Sequence, residues 1–450
     1  MSKTGFSKST FQSVLKHYQG PSWFEEIRKQ AWDSCCAQSF PSQNDEEWRR
    51  TDIRAWDPES FIPADLLGNQ KSARNIDLDA TSDTADYGGV LITVDGTPYS
   101  QKPEHPLTTD GIFFGTLDQA LSDIPDRIQS YLSAQALKLN HDRFSAMHTA
   151  FLNGGTVLHV PKGVQLEVPL YDICALASEH IADCSHLLVI LEENASATLL
   201  HKVVSTNKTL PGMHIGAVDL ILKEGSKLNY IELQNWGDEV WNFSRQQALL
   251  QNNATLQWTT ACLGSYVSKA NQEIALEGSG AVAEMNGIMF ANNRQHLSYH
   301  TKQHHMAPHT QSDLLYAGAL NDHSRSVWRG MIRVEPDAQK TNAYQRNDNL
   351  LLSEEARADS IPGLEIEADD VRCTHGATAG KIDADQIFYA MCRGMSESEA
   401  NLMVIEGFFG RVYDRVTSPS IRHQLNQAVA DKLGIESGSE HPSFISESTS

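Results

Sequence analysis

Cysteine is scarce in this chain of 450 residues: there are seven, Cys35, Cys36, Cys174, Cys184, Cys262, Cys373 and Cys392, with no C-x-x-C among them. So low and odd a count gives no support to a disulfide framework or a zinc knuckle, and it fits a reducing compartment, the cytoplasm. Positive charge is also short. Lysine and arginine number 36 against 57 acids, for a net charge of −21. A sequence-independent grip on phosphate backbones needs a basic face, so nucleic acid is not expected as a partner. Long apolar runs are missing too. A stretch such as Leu187 to Leu191 falls far below the roughly 18 residues of a membrane helix, so no membrane contact is expected. The N-terminus has no acid before Glu25, which faintly suggests a targeting peptide. It also has no arginine before Arg28 and no cleavable apolar segment, so it reads as an ordinary first helix.

What is present suffices for a sizeable core. Apolar residues make up 40% and the mean hydropathy is −0.38. At about 100–200 residues per domain, this length implies several units. The spacing of Trp23, Phe24, Ile27 and Ala31 predicts a helix with Ser22 as its cap. The polar stretch Gly68 to Asp86 reads as a loop, and the run from Gly88 to Thr97 as a strand closed by the turn Asp95-Gly96. Leu117, Leu121, Ile124, Ile128 and Leu132 return to helical spacing, continuing towards Phe151.

From Asn153 the texture changes. The segment VQLEV (164–168) alternates apolar and polar residues as a half-buried strand does. Turn residues then recur at Gly163, Asn194, Gly225, Asn253, Gly278 and Asp337, at intervals of 31, 31, 28, 25 and 59. Short strands repeating at this period predict a stacked β-solenoid, whose rungs bury their inward residues on one another, in preference to a β-sandwich. After Lys381 helical signals return. Ser396 and Glu399 form a capping box, and Ser418-Pro419 a cap with proline at the first helical position, in a helix ending at Gly434. The expected fold is therefore mainly β, a parallel β-helix flanked by helices. Residues 1–152 are mostly helical with a short hairpin and a polar insert (66–86), 153–380 form the β-helix, 381–434 are helical and 435–450 a disordered tail.

Four groups invite a chemical reading. The segment GATAGK (376–381) fails as a phosphate loop: Gly376 and Gly380 are one residue too close, and Ile382 replaces the magnesium-binding hydroxyl. His296, His300, His304, His305 and His309 could bind a transition metal, but bare spacing favours an exposed rung and the loop at Pro308. Glu365, Glu367, Asp369 and Asp370 form one acidic stretch, whereas a polysaccharide-cleaving β-helix needs acids gathered across rungs, so a solvated edge is the better reading. Cys373 and His375 project to one side of a strand, as a nucleophile with its base or as two ligands for iron. From spacing alone, a structural cysteine beside a hydrogen-bonded histidine is the better reading.

Residues 362–409 tip that balance, because they resemble the C-terminal signature of the SufB/SufD family, scaffold proteins of the SUF iron–sulfur cluster assembly system. In the family's SufD branch the pattern D-V-x-C-[ST]-H-G-A-T-x-G is followed by F-Y-x-x-x-R-G. Here it reads Asp370, Val371, Cys373, Thr374, His375, Gly376, Ala377, Thr378 and Gly380, then Phe388, Tyr389, Arg393 and Gly394. Supporting matches are EEWRRTDI (46–53), VPKGV (160–164), HMAPHTQSD (305–313) and residues 328–353. Ala379 and the pair Met391-Cys392 depart from the usual pattern, and the 66–86 insert has no match.

The resemblance implies a right-handed β-helix between helical regions and a non-enzymatic scaffold that pairs with SufB and docks SufC, an ABC-type ATPase. It implies His375, and less strongly Cys373, as a ligand of iron or of a transient cluster at the SufB interface. It also implies a SufC contact in the helices around 384–416, with Phe388, Tyr389, Arg393, Gly394, Glu406, Phe408 and Phe409 as candidates. No nucleotide site is expected in this chain, and nothing decides whether a flavin binds. The alternatives are a SufB-like or homodimeric SufD-type paralogue, and, less favoured, a β-helix polysaccharide lyase or hydrolase.

Overall fold

The computed structural model describes residues 5–66, 87–102, 111–139, 142–416 and 418–433. The chain divides into two compact units after Gly380. The first opens with α1 (Lys8–His17) and α2 (Ser22–Ala37), then β1 (Ile62–Pro63), the hairpin β2 (Gly89–Val94) and β3 (Thr97–Lys102), and β4 (Phe113–Thr116). Asp95 and Gly96, both at positive φ, form the hairpin turn. Three helices follow: α3 (Leu117–Asp123), α4 (Pro125–Leu139) and α5 (Arg143–Ala150). The helical spacing from Leu117 is thus divided, because Pro125 starts a new helix and Asp142 caps another.

From Gly154 the chain winds through eight rungs, each contributing a strand to both of two sheets. The first sheet takes β5 (Gly154–Val160), β8 (Ser185–Leu191), β10 (Gly212–Leu222) and β12 (Val240–Leu250). It continues with β14 (Val267–Leu276), β16 (His296–His305), β18 (Arg325–Val334) and β20 (Arg357–Ile366). The second sheet takes β6 (Leu170–Leu176), β9 (Ser196–Ser205), β11 (Lys227–Asn235) and β13 (Thr255–Cys262). Then come β15 (Val282–Ala291), β17 (Gln311–Leu320), β19 (Asn342–Leu351) and β21 (Arg372–Lys381), while the short β7 (Ile181–Asp183) pairs with β1 and β10. Successive rungs pair in parallel, so inward residues stack in columns: Ala270 aligns with Tyr299, and Tyr299 with Trp328. The apolar core they build runs from Leu91 through Leu158, Leu220 and Trp258 to Trp328.

The corners explain the repeat and correct its register. Seven of the eight turns from the first sheet to the second pass through a left-handed residue: Gly163, Asn194, Gly225, Asn253, Gly280, His309 and Lys340. Glycine and asparagine take this conformation most readily. Gly278 and Asp337 therefore lie just before the true corners, and the double interval contains the corner at His309, which composition hides. Each corner amide donates to the adjacent rung, as Asn194 does to the Glu224 carbonyl (2.9 Å) and His309 to that of Gln339 (2.9 Å). VQLEV is a second correction. It forms one isolated bridge, Gln165 with Ser196, and no strand. Its pairing is cut short between Pro161 and Pro169, although Val164 and Leu166 still pack on the core.

The first end of the solenoid is closed by antiparallel strands, β4 against β5, and β3 against β2, which itself pairs with β6. N-terminal helices cover the outer face of the first sheet. Phe144 of α5 stacks on Phe243 at 4.1 Å and on Trp48 at 5.2 Å, and the Arg28 side chain donates to the Ala150 carbonyl at 3.0 Å. Among the described residues the other end has no such closure: the two sheets end on β20 and β21.

The second unit holds α6 (Ala384–Cys392), α7 (Glu397–Tyr413) and α8 (Pro419–Lys432). Ser396 and Glu399 make the reciprocal capping box, and Ser418 caps α8 ahead of Pro419. Residues 67–86 of the polar stretch, Gly434 and the tail lie outside the described residues. No described helix is long and apolar enough to cross a membrane.

Candidate functional site

Cys373 and His375 lie on the terminal strand β21. The Arg372 amide donates to the Thr341 carbonyl at 2.9 Å, the same offset by which the Asn342 amide reaches Thr310 (3.0 Å), where Asn342 lies beside Gln311. This register sets Cys373 beside Ala343 and His375 beside Gln345, on the inward side of the rung. The outward Thr378 bonds the outward Asp348 at 2.6 Å, as the same register requires.

Inward here does not mean buried, because no described rung follows. Cys373 is half-buried against Ile332, Val334, Ala338 and Ala343, and burial pushes its thiol above the ordinary range. His375 is exposed. Leu364 and Ile366 align with the fully buried Ile332 and Val334 one rung earlier, yet are 38% and 39% exposed. Among the described residues, two apolar side chains and an imidazole are thus presented on a cross-section that no further rung covers.

Behind that end, the interior changes from apolar to polar. Asn349 donates to Asn347 (2.7 Å) and Ser360 (3.0 Å), and Gln345 donates to the Gly363 carbonyl (3.0 Å). Deeper in, Gln272 donates to Gln246 and Gln246 to Glu232, each at 2.7 Å, and burial holds the Glu232 carboxyl above its ordinary range. Near the first end, His201 bonds Asp172 at 2.8 Å, and this carboxylate, against the opposing pull of burial, holds the imidazole above its usual range. Sequence reasoning missed this buried polar column. Its signal was the parity of strands such as β11, where inward positions pass from Leu228 and Tyr230 to Glu232 and Gln234.

The other candidates separate clearly. His296, His300 and His304 face outward along β16, each about 13 Å from the next at four residues' spacing. His304 bonds Glu335 at 2.7 Å, His305 turns inward to Thr310 (2.7 Å) and Ser312 (2.8 Å), and His309 is a corner. Among the described residues no three His, Cys, Asp or Glu side chains gather to hold a metal ion. Glu365 and Glu367 lie within 3.8 Å of Arg333, and Asp370 pairs with Lys340, as a solvated edge would.

In the helical unit, Phe388 is 67% and Tyr389 60% exposed, and Arg393 folds back to bond the Tyr389 hydroxyl at 2.6 Å. Gly394 takes φ +98° in the turn after α6. Glu406 and Phe408 are half-buried. Phe409 corrects the docking set: it is fully buried between Phe408 and Tyr413, so it builds the core of this unit and offers no surface.

Comparison with known proteins gives two family matches. The SUF system FeS cluster assembly SufBD core domain matches residues 174–408, and the SufBD protein N-terminal region matches residues 10–171. The chain is 25% identical over 443 residues to the iron–sulfur cluster assembly protein SufD of Bacillus subtilis, covering 96% of this chain and 99% of that one. It is 26% identical over 400 residues to SufB of the same organism, covering 88% and 82%. A SufBD family protein of Synechocystis is 28% identical over 350 residues, covering 76% and 70%.

Proposed function

The chain belongs to the SufB/SufD family of iron–sulfur cluster assembly proteins, and on that premise we propose that it is a SufD-type scaffold subunit. Its uncovered solenoid end pairs with a SufB-type partner, and His375 offers an imidazole nitrogen to iron or to the cluster forming between them. The observation that carries this reading is the uncapped end itself. A β-sheet edge with unsatisfied backbone groups invites pairing with another chain, and exposed Leu364 and Ile366 gain by being covered. One imidazole beside a recessed thiol makes only part of a metal site, so the remaining ligands belong to the partner. The iron or cluster is cargo here, built and passed on.

The near end-to-end match with a relative named SufD favours the SufD type over the SufB type. The helical unit supplies the second contact: exposed Phe388 and Tyr389, with Arg393 beside them, form a surface suited to the SufC-type ATPase. Energy from nucleotide then comes from that partner, and this chain acts without catalysis of its own. Co-expression with SufB-type and SufC-type proteins tests the reading. A stable complex containing all three supports it, and isolation of this chain with neither refutes it.

A further inference from the structure

Lys269 is a buried cation without a carboxylate partner. It stands on the outer face of β14, 2% exposed, beneath the N-terminal cover. Its ammonium donates to Asn271 Oδ1 at 2.9 Å and lies 5.7 Å from the Trp48 ring centroid. Among the described residues, no acid approaches it within ion-pairing distance, although burying an unpaired ammonium is costly. Of the two carboxylates that act on it through space, Asp142 caps α5 through the Ser145 amide (2.8 Å), and Glu47 makes no ion pair with it.

Beside this ammonium is a cavity of about 30 Å³, walled by Trp48, Phe144 and Phe243 and edged by Arg245, Asn271 and the helix-capping Asp142. That is room for about two water-sized groups. Arg245 adds positive potential at the cavity, while Arg329 is paired with Glu46, and aromatic walls lower the local dielectric, which strengthens attraction for an anion. We propose that this cavity is a binding site for a small anion of the carboxylate or oxyanion class, held by the Lys269 ammonium. The site stands apart from the uncapped end and is independent of the scaffold reading.

Binding requires the protonated amine. Burial lowers Lys269 to about 7, with Arg329 pulling it further down and Glu47 and Asp142 opposing. The two histidines facing it stay uncharged near neutrality, and Arg245 stays charged throughout. Burial holds both His148 and His300 far below the usual imidazole range, with His186 adding to the effect at His148 and the Lys269 charge at His300. A bound anion would therefore be released as pH rises past 7.

Formate serves as the probe, since it does not titrate between pH 6 and 8.5. It is added to the full chain at constant ionic strength, balanced with gluconate, which is too large for the cavity, while the thermal midpoint is followed. A saturable rise at pH 6, at least tenfold weaker in apparent affinity at pH 8.5 and absent in Lys269→Met, is expected. No saturable rise at pH 6, an equal rise at pH 8.5, or an equal rise in Lys269→Met would overturn the proposal. The pH series uses the unaltered chain, so it decides the matter even if the variant fails to fold.

Discussion

Cys373 and His375 share one side of β21 but not one environment: the thiol is recessed against Ala343 and its neighbours, while the imidazole stands exposed beside Gln345. Two residues that spacing presents as equivalent partners are thereby given unequal tasks. A thiol whose burial raises its pKa is a poor thiolate source near neutral pH. The imidazole is the group within reach of a partner. Cys373→Ser is accordingly expected to leave iron and sulfide content of the assembled complex within about twofold of wild type, measured by metal and sulfide analysis. A loss as large as that in His375→Ala would make the thiol an equal ligand.

The helical unit gives a contrast between neighbouring aromatics. Replacing exposed Phe388 and Tyr389 together by serine should leave the helical circular dichroism intact and weaken association with a SufC-type ATPase by at least tenfold, since exposed aromatics often anchor interfaces. Phe409→Ala should instead destabilise the unit by about 3–5 kcal/mol, as deletion of a fully buried phenyl ring does. Denaturant titration and affinity measurement on both variants separate docking from core.

Much of this architecture was legible because its signals are local. The S-x-x-E box, Ser418-Pro419 and Asp95-Gly96 each satisfy backbone groups within a few residues, and the β-solenoid declares itself through repeated corners. What escaped depends on non-local facts. A left-handed His309 or Lys340 is enforced by the adjacent rung and has no compositional mark. VQLEV has strand alternation, yet strand length is decided by whether a neighbouring rung can pair with it. Phe409 and Phe408 are adjacent in sequence, and only packing of the helices decides which is core. The family motif singles out His375 in the sequence, while its exposure follows from β21 being the last rung among the described residues.

Gly330 is a further position that only packing reveals. A Cβ there would come within 2.2 Å of the Trp328 ring and 2.3 Å of Gln345 Oε1. Gly330→Ala should cost about 1–3 kcal/mol by overpacking the inner column next to the uncapped end. Equilibrium unfolding measures it, and an unchanged midpoint would show that the indole and the amide yield freely.

Lys269 makes a pH prediction that needs no ligand. Its amine holds a proton up to about pH 7 in the folded chain and to the ordinary lysine range, near 10.5, when unfolded. Between these values the unfolded chain binds more protons, so this residue makes stability rise with pH. At or below pH 7 its unfavourable contribution is fully present. Lys269→Met should therefore gain about 1–4 kcal/mol over wild type at pH 6, and that advantage should shrink towards pH 10. Unfolding curves of both proteins across this range check the sign.

The most direct test of the scaffold reading is the iron and sulfide content of the complex that this chain forms with SufB-type and SufC-type partners, compared between wild type and His375→Ala. The expected result is an intact three-component complex in both, with iron and sulfide reduced at least severalfold in the variant. Equal cluster content in two equally well-formed complexes would contradict the assignment of His375 to the site where the cluster is built.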